Sequence, residues 1–253
     1  MSSLHKSKSL WDIFSDKLGT TILHPQYFAK KYTRDAIREA INVSSGTLLD
    51  IGCGRMPYRS IFLPAVKKYI GLDHPQTAKM YKGNLKPDIY ADATKIPLKS
   101  RSIDTILMLM VLEHLPVPSD ALYEANRLLS RKDGTLILST VQMYPTHDAP
   151  FDYFRYTQYG LRSLFEKSGF KVKKIISQGN IWSLLGLSLN VYLFQFVLSL
   201  LKNKKTILLG LASSPFFYLV TLLTNLLLFI PEHFTNNSSS KFNISHVVFA
   251  VPK

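Results

Sequence analysis

Three scarcities narrow what this chain can be. It has a single cysteine, Cys53, among 253 residues, so no intramolecular disulfide can form. Cys53 sits inside a glycine turn, where its small size is its expected use. Acidic residues are few, 17 Asp and Glu against 31 Lys and Arg, which leaves a formal net charge of +14. Such a surface favours polyanions: an anionic membrane, a phosphorylated substrate or nucleic acid. The basic residues are spread, with small groups at Lys30-Lys31, Lys67-Lys68, Lys171-Val172-Lys173-Lys174 and Lys202-Asn203-Lys204-Lys205. No recognisable nucleic-acid module accompanies them, so nucleic acid is not an expected partner. Met1 to Lys17 carries lysines but no continuous apolar stretch, and no secretory signal is expected. The 7 histidines are scattered along the chain, so no metal-ligand cluster is expected.

The residues that carry chemistry begin at Leu48-Leu49-Asp50-Ile51-Gly52-Cys53-Gly54. An apolar run ends in an acid and bends through two glycines. A second apolar run, Tyr69-Ile70-Gly71-Leu72-Asp73, also ends in an acid. In an open α/β sheet this arrangement builds a nucleotide pocket. The glycines let the backbone approach a ligand, and the second acid can accept both ribose hydroxyls. A dinucleotide turn asks for a third glycine three residues on, but Pro57 stands there. That weakens a pyrophosphate ligand. S-adenosylmethionine has no phosphate and needs an acid near its amino group, where Asp50 lies. Taken alone, Asp50 to Gly54 also suits an ordinary strand and turn.

Further blocks follow in order. They are Tyr90-Ala91-Asp92-Ala93-Thr94, then Ile96-Pro97-Leu98, then Ser102 to Leu115 ending in Met110-Val111-Leu112-Glu113-His114-Leu115. A helical stretch, Ala121 to Leu129, leads into Asp133-Gly134-Thr135-Leu136-Ile137-Leu138-Ser139. This order resembles the class I S-adenosylmethionine-dependent methyltransferases, in the small-molecule branch found in bacterial polysaccharide and glycolipid pathways. The resemblance covers roughly residues 45 to 179 and the last strand. It implies that Asp50, Gly52 and Gly54 hold the amino acid end of S-adenosylmethionine. Asp73 would take the ribose hydroxyls, and Asp92 with Ala93 the adenine. Met110, Val111 and Leu112 would line the far side, with Glu113 and His114 at the pocket mouth. Asp104 matches the pattern too but opens its strand at the wrong end for chemistry, so it reads as structural. The implied fold is α/β: a Rossmann-like, seven-stranded, mainly parallel sheet with helices on both faces.

Two apolar runs of about twenty residues, Ile181 to Leu201 and Ile207 to Ile230, have the length that crosses a bilayer core of roughly 30 Å. They suit membrane contact or a buried lid over a substrate. The chain then divides into an N-terminal helical cap (1–44), a cofactor-binding core (45–179), an apolar helical insertion (180–241) and a last core strand (242–253). Within the cap, Asp35 to Ile41 has a helical pattern, and Tyr27, Phe28 and Tyr32 suit a pocket or the core. Asn236-Asn237-Ser238-Ser239-Ser240 reads as a polar linker. Lys171 to Gln178 and Ser245 to Val251 read as adjacent strands of one domain. A spanning hairpin would therefore carry Lys202, Lys204 and Lys205 across the membrane, against the usual lysine bias. Ser213-Ser214-Pro215 is expected to break the second run. Both features favour helices that dip into one leaflet from the cytoplasmic side, with lysines at anionic headgroups.

The stretch His147-Asp148-Ala149-Pro150-Phe151-Asp152-Tyr153-Phe154-Arg155-Tyr156-Thr157 lies between the fifth strand and a helix from Gln158 to Lys167. Thr157 suits the N-cap. Loops at this end of such a sheet form the ligand crevice. His147 and Asp152, with His114, are candidate general bases for an acceptor hydroxyl. Arg155, Tyr153 and Tyr156 are candidate substrate contacts. Asp152 and Arg155 would alternatively pair with each other to fix the loop. Together these features lead to an enzyme that methylates a hydroxyl on a lipid-linked sugar or another small amphiphile. The alternatives are a quinone or isoprenoid-ring methyltransferase, and a non-catalytic membrane-bound scaffold that keeps the fold.

Overall fold

A computed structural model of the chain describes residues 19–78, 86–130, 133–235 and 241–253. The start through Lys17 and the linker at 236–240 lie outside the described residues. Two compact units emerge. One holds Asp35–Gln178 with Asn243–Lys253; the other holds the described residues up to Arg34 with Gly179–Phe242.

The elements run α1 (Tyr27–Val43), β1 (Thr47–Ile51), α2 (Arg59–Phe62), β2 (Lys68–Asp73), α3 (Pro75–Ala78), β3 (Ile89–Tyr90), β4 (Thr105–Leu109), a 3-10 turn (Leu112–His114), α4 (Pro118–Leu128), β5 (Thr135–Val141), α5 (Gln158–Lys167), β6 (Phe170–Gln178), α6 (Ile181–Lys202), α7 (Ile207–Phe234) and β7 (Ser245–Pro252). The seven strands make one sheet in the order β3-β2-β1-β4-β5-β7-β6. The pairs β1–β2, β1–β4, β2–β3 and β4–β5 are parallel. β7 runs antiparallel to both β5 and β6. This is the seven-stranded α/β architecture expected from the motif order.

The strands read as continuous apolar runs because both faces are covered. Along β1, Leu48 joins a cluster with Ala36, Ile37, Leu107 and Ile137. Its neighbours Leu49 and Ile51 point the other way, into a cluster with Leu72, Ile106, Met108, Phe165 and Phe170. Asp104 holds the N-terminal edge: the Thr47 amide donates to its carboxylate at 2.7 Å. A Cβ on Gly46 would lie 2.0 Å from that carboxylate, so the bond requires glycine there. Thr157 caps α5, its hydroxyl accepting from the Gly160 amide at 3.1 Å.

Two expectations need correction. The helix expected over Asp35 to Ile41 starts at Tyr27. Phe28, Tyr32, Ala36 and Ala40 are all buried, and this four-residue spacing continues one apolar stripe along the helix. The second correction concerns Ser213-Ser214-Pro215: α7 runs unbroken through Pro215 and also through Pro231. Proline removes one backbone donor. The carbonyl that loses its helical partner is that of Leu211, and the helix carries this one missing bond without breaking.

The helical unit is built around polar contacts. Asn180 caps α6 by accepting from the Trp182 and Ser183 amides. Asn190 donates to Asn225 across the helix pair at 2.9 Å. Asn225 donates to the Ile22 carbonyl at 2.6 Å. Glu232 is buried and accepts from Tyr32 at 2.7 Å and Lys31 at 3.0 Å. The outer faces are apolar: Leu208 is 78% exposed, and Phe216 and Leu227 are each 67% exposed. Both helices are long and apolar enough to cross a membrane, and only 33% and 22% of their most apolar windows are buried.

Candidate active site

The chain places β2 and β3 on one side of β1, then returns to start β4 on the other. Beyond the C-terminal ends of β1 and β4 such a reversal opens a crevice. Gly52 and Gly54 turn the loop after β1 in the left-handed region, with φ of 75° and 54°. The Gly52 and Cys53 amides donate to the Leu72 carbonyl at 2.8 and 3.0 Å, fastening this loop to the end of β2. A Cβ on Gly52 would lie 2.3 Å from a Val111 methyl. The stretches expected on opposite sides of the cofactor, Gly52–Gly54 and Met110–Leu112, therefore meet here. Met110 leaves β4 with φ of 53° and donates its amide to the Ser139 carbonyl at 2.9 Å.

Two buried carboxylates flank this loop. Asp50 receives a hydrogen bond from the Tyr69 hydroxyl. Burial pushes its carboxyl up to about 7, against that hydrogen bond and helped by the charge of Asp73. Asp73 accepts from the Gly54 amide at 2.8 Å and the His74 amide at 2.7 Å. Burial raises its pKa, opposed by those two bonds. A carboxylate offers about four acceptor positions, so two amides leave room for hydroxyls. Asp92 is exposed, and its turn accepts from the Thr94 amide and hydroxyl, each at 2.8 Å. These bonds hold its carboxyl below the usual range. Ala93 beside it is buried.

The loop after β5 folds back onto the 3-10 turn. The Tyr153 amide donates to the Glu113 carbonyl at 2.9 Å. Asp152 and Arg155 form a two-pronged ion pair at 2.6 and 2.7 Å, and the His147 amide also donates to Asp152 at 2.9 Å. Arg155 holds the Asp152 carboxyl well below the carboxylate range. The remaining Arg155 donors reach the Tyr144, Pro145 and Phe154 carbonyls. Of the two uses left open for Asp152 and Arg155, mutual pairing is the one formed. Tyr153 is exposed, whereas Tyr156 is buried with its hydroxyl toward the Leu112 carbonyl at 3.4 Å.

His147 and His114 stack edge to face with ring centres 4.9 Å apart. The expectation of scattered histidines fails here. Glu113, His114 and His147 bring one ligand atom each within 4.8 Å of one another. The sequence separation of 33 residues between the two histidines is closed by the parallel pairing of β4 with β5, which puts both following loops at one edge. Sequence reasoning also passed over Tyr69 and Thr140. Thr140 donates to Glu113 at 2.8 Å. Each lies in a mostly apolar strand, where its partner becomes visible only through sheet register.

Residues 49–138 match the family described as a methyltransferase domain. A Mycolicibacterium smegmatis protein named "Probable S-adenosylmethionine-dependent methyltransferase" is 25% identical over 135 residues, covering 50% of this chain and 52% of that protein. The chain thus spans about half the length of the curated relatives it matches. A solved S-adenosylmethionine-dependent methyltransferase from Archaeoglobus fulgidus superposes with a TM-score of 0.55 at 15% identity, covering 96% of this chain and 99% of that one. The cyclase SpnF gives a TM-score of 0.55 at 15% identity over 88% of this chain and 81% of its own. Residues 49–138 are thus similar to a methyltransferase domain, and the fold is that of solved S-adenosylmethionine-dependent methyltransferases. The cofactor of that class is S-adenosylmethionine, and the donor set fits it. Buried carboxylates suit an ammonium and ribose hydroxyls, and the glycine loop leaves its backbone bare.

Proposed function

We propose that this chain methylates a hydroxyl of a lipid-linked sugar or similar amphiphile at the cytoplasmic face of a membrane. Asp50 faces the cofactor's ammonium, Gly52 and Gly54 admit its amino acid end, and Asp73 takes the ribose hydroxyls. Asp92 and Ala93 receive the adenine, while Met110, Val111 and Leu112 close the far side. When bound, the cofactor supplies an electrophilic methyl on a sulfonium. The chain's own residues then have mainly to hold an acceptor oxygen in line with it, since orientation supplies much of such an acceleration. His147 is the favoured base in the loop. Asp152 holds that loop through Arg155, and a carboxylate of such low proton affinity is a weak base. Tyr153 is the exposed aromatic for a substrate ring, and His114 completes the mouth.

The observation that carries the membrane half is the inverted character of the helical unit. Asn180, Asn190, Thr221, Asn225 and Glu232 are inside, while Leu208, Phe216, Leu227 and other large apolar side chains are outside. A soluble lid would bury that apolar face. The lysine bias, which keeps Lys202, Lys204 and Lys205 on the cytoplasmic side, favours dipping over spanning.

The test supplies purified chain with methyl-labelled S-adenosylmethionine and vesicles made from a bacterial lipid extract. Label is expected in the organic phase, on a product one methyl heavier. Label confined to water-soluble acceptors, with no binding of the chain to vesicles, would overturn the reading. Loss of label in quinone-depleted extract alone would move the acceptor to an isoprenoid ring.

A further inference from the structure

Glu113 is the least explained polar group in the core unit. Its side chain is 0% exposed. Thr140 takes Oε2. Among the described residues Oε1 has no hydrogen-bond partner, and leaving a buried acceptor so is costly. A partner for Oε1 is therefore worth seeking.

Two imidazoles lie beside the Glu113 carboxylate. His114 Nδ1 lies 2.7 Å from the Phe151 carbonyl. His147 Nδ1 lies 3.2 Å from the Pro145 carbonyl and 3.4 Å from Asp152. A carbonyl only accepts, so each Nδ1 carries a proton, which leaves Nε2 as the nitrogen that can ligate. This is the arrangement by which metal-binding histidines are oriented: one nitrogen donates to a carbonyl or carboxylate and the other ligates. Asp152 is fixed by Arg155, so the support beneath His147 is rigid. Ligand atoms about 2.1 Å from one ion at tetrahedral angles stand about 3.4 Å apart. The three ligand atoms already lie within 4.8 Å of one another, so binding draws them together by side-chain rotation of about 1 Å.

We propose that Glu113 Oε1, His114 Nε2 and His147 Nε2 bind one divalent first-row transition ion at the mouth of the cofactor crevice. One carboxylate with two imidazoles suits zinc, manganese or iron rather than magnesium, which prefers oxygen alone. Three protein ligands leave positions open, the mark of a catalytic rather than structural site. Resting on the methyl-transfer reading, an acceptor hydroxyl would fill one open position and become more acidic. His147 then acts as a ligand in place of a general base: the hydroxyl proton leaves to solvent, the oxygen lone pair forms the new C–O bond, and the methyl's former bonding pair stays on sulfur.

The test reads ion binding without acceptor or turnover. Full-length chain is stripped with chelator, titrated with Co²⁺ and followed by its visible d–d absorption; retained Zn²⁺ is counted after gel filtration. One equivalent is expected for the unmodified chain and for His233→Ala, whose exposed histidine lies elsewhere. His114→Ala and His147→Ala should each weaken binding at least tenfold, and together abolish it. Glu113→Gln should do the same, and the half-buried His147 keeps the test interpretable should Glu113→Gln misfold. No Co²⁺ bands, or equal Zn²⁺ retention by the double variant, would overturn the proposal. Ion binding without methyl transfer would instead retain the site and remove the function assigned above. Methyl transfer undiminished in chelator would do the reverse.

Discussion

The two units solve opposite problems. In the sheet unit, Leu48, Leu49, Ile106 and Leu138 are wholly buried, and its carboxylates gather at the C-terminal strand ends. In the helical unit, Asn190, Asn225 and Glu232 are buried while Leu208, Phe216 and Leu227 face outward. Water outside explains the first, because apolar burial drives folding. The apolar surrounding of the proposed function suits the second, since it rewards exposed leucine and leads polar groups to find partners within the protein. That proposal gives cofactor chemistry to one unit and location to the other.

The sharpest way to break that division is to make the outer face polar. Leu208→Ser, Phe216→Ser and Leu227→Ser together should lower vesicle binding at least a hundredfold. Each large apolar side chain returned to water forfeits roughly 1.5–3 kcal/mol. Cofactor affinity should stay unchanged, as measured by calorimetry. Undiminished vesicle binding would end the membrane assignment.

The converse change is Asp73→Ala. Losing a charged acceptor costs about 1.5–3 kcal/mol, so S-adenosylmethionine affinity should fall about tenfold to a hundredfold, with vesicle binding intact. Unaltered affinity in a folded variant would refute the ribose assignment.

The buried Asp50 predicts a pH effect confined to the sheet unit. An ammonium binds its ionised form, and burial raises that carboxyl to about 7. Cofactor affinity should therefore rise about tenfold from pH 6 to pH 8, with proton release on binding. Asp50→Asn should abolish the slope. For the ligand-free chain the sign is opposite. The cost of burying ionised Asp50 is absent below the unfolded pKa of 3.8 and complete above about 7, so this group lowers stability as pH rises through that window.

The smallest effect belongs inside the helical unit. Asn190→Leu removes the donor to Asn225. A buried polar contact between apolar helices is worth roughly 0.6–2 kcal/mol, so unfolding in detergent should shift by that amount. Thr221, buried one turn from Asn225, serves as the comparison site.

Much of this was legible in the sequence. The strand-end acids, Gly52 and Gly54, and the order of apolar blocks announced the sheet, its cofactor and the two long helices, because periodicity and glycine turns are local properties. The N-cap at Thr157 and the structural use of Asp104 followed for the same reason. Local rules misjudged Pro215, since a long helix packed against a neighbour carries one lost backbone bond without ending. They also ended the α1 stripe too late at its start, because Phe28 and Tyr32 bury against residues some 150 or more positions away.

Sequence alone thus determined which segments are strand, turn or apolar helix, and which residue types border the cofactor crevice. Only the tertiary structure decided that Asp152 belongs to Arg155, that Tyr69 caps Asp50, and that Glu113, His114 and His147 converge. Sheet register joins residues by hydrogen bonds across strands, and that pairing leaves no periodic trace along the chain.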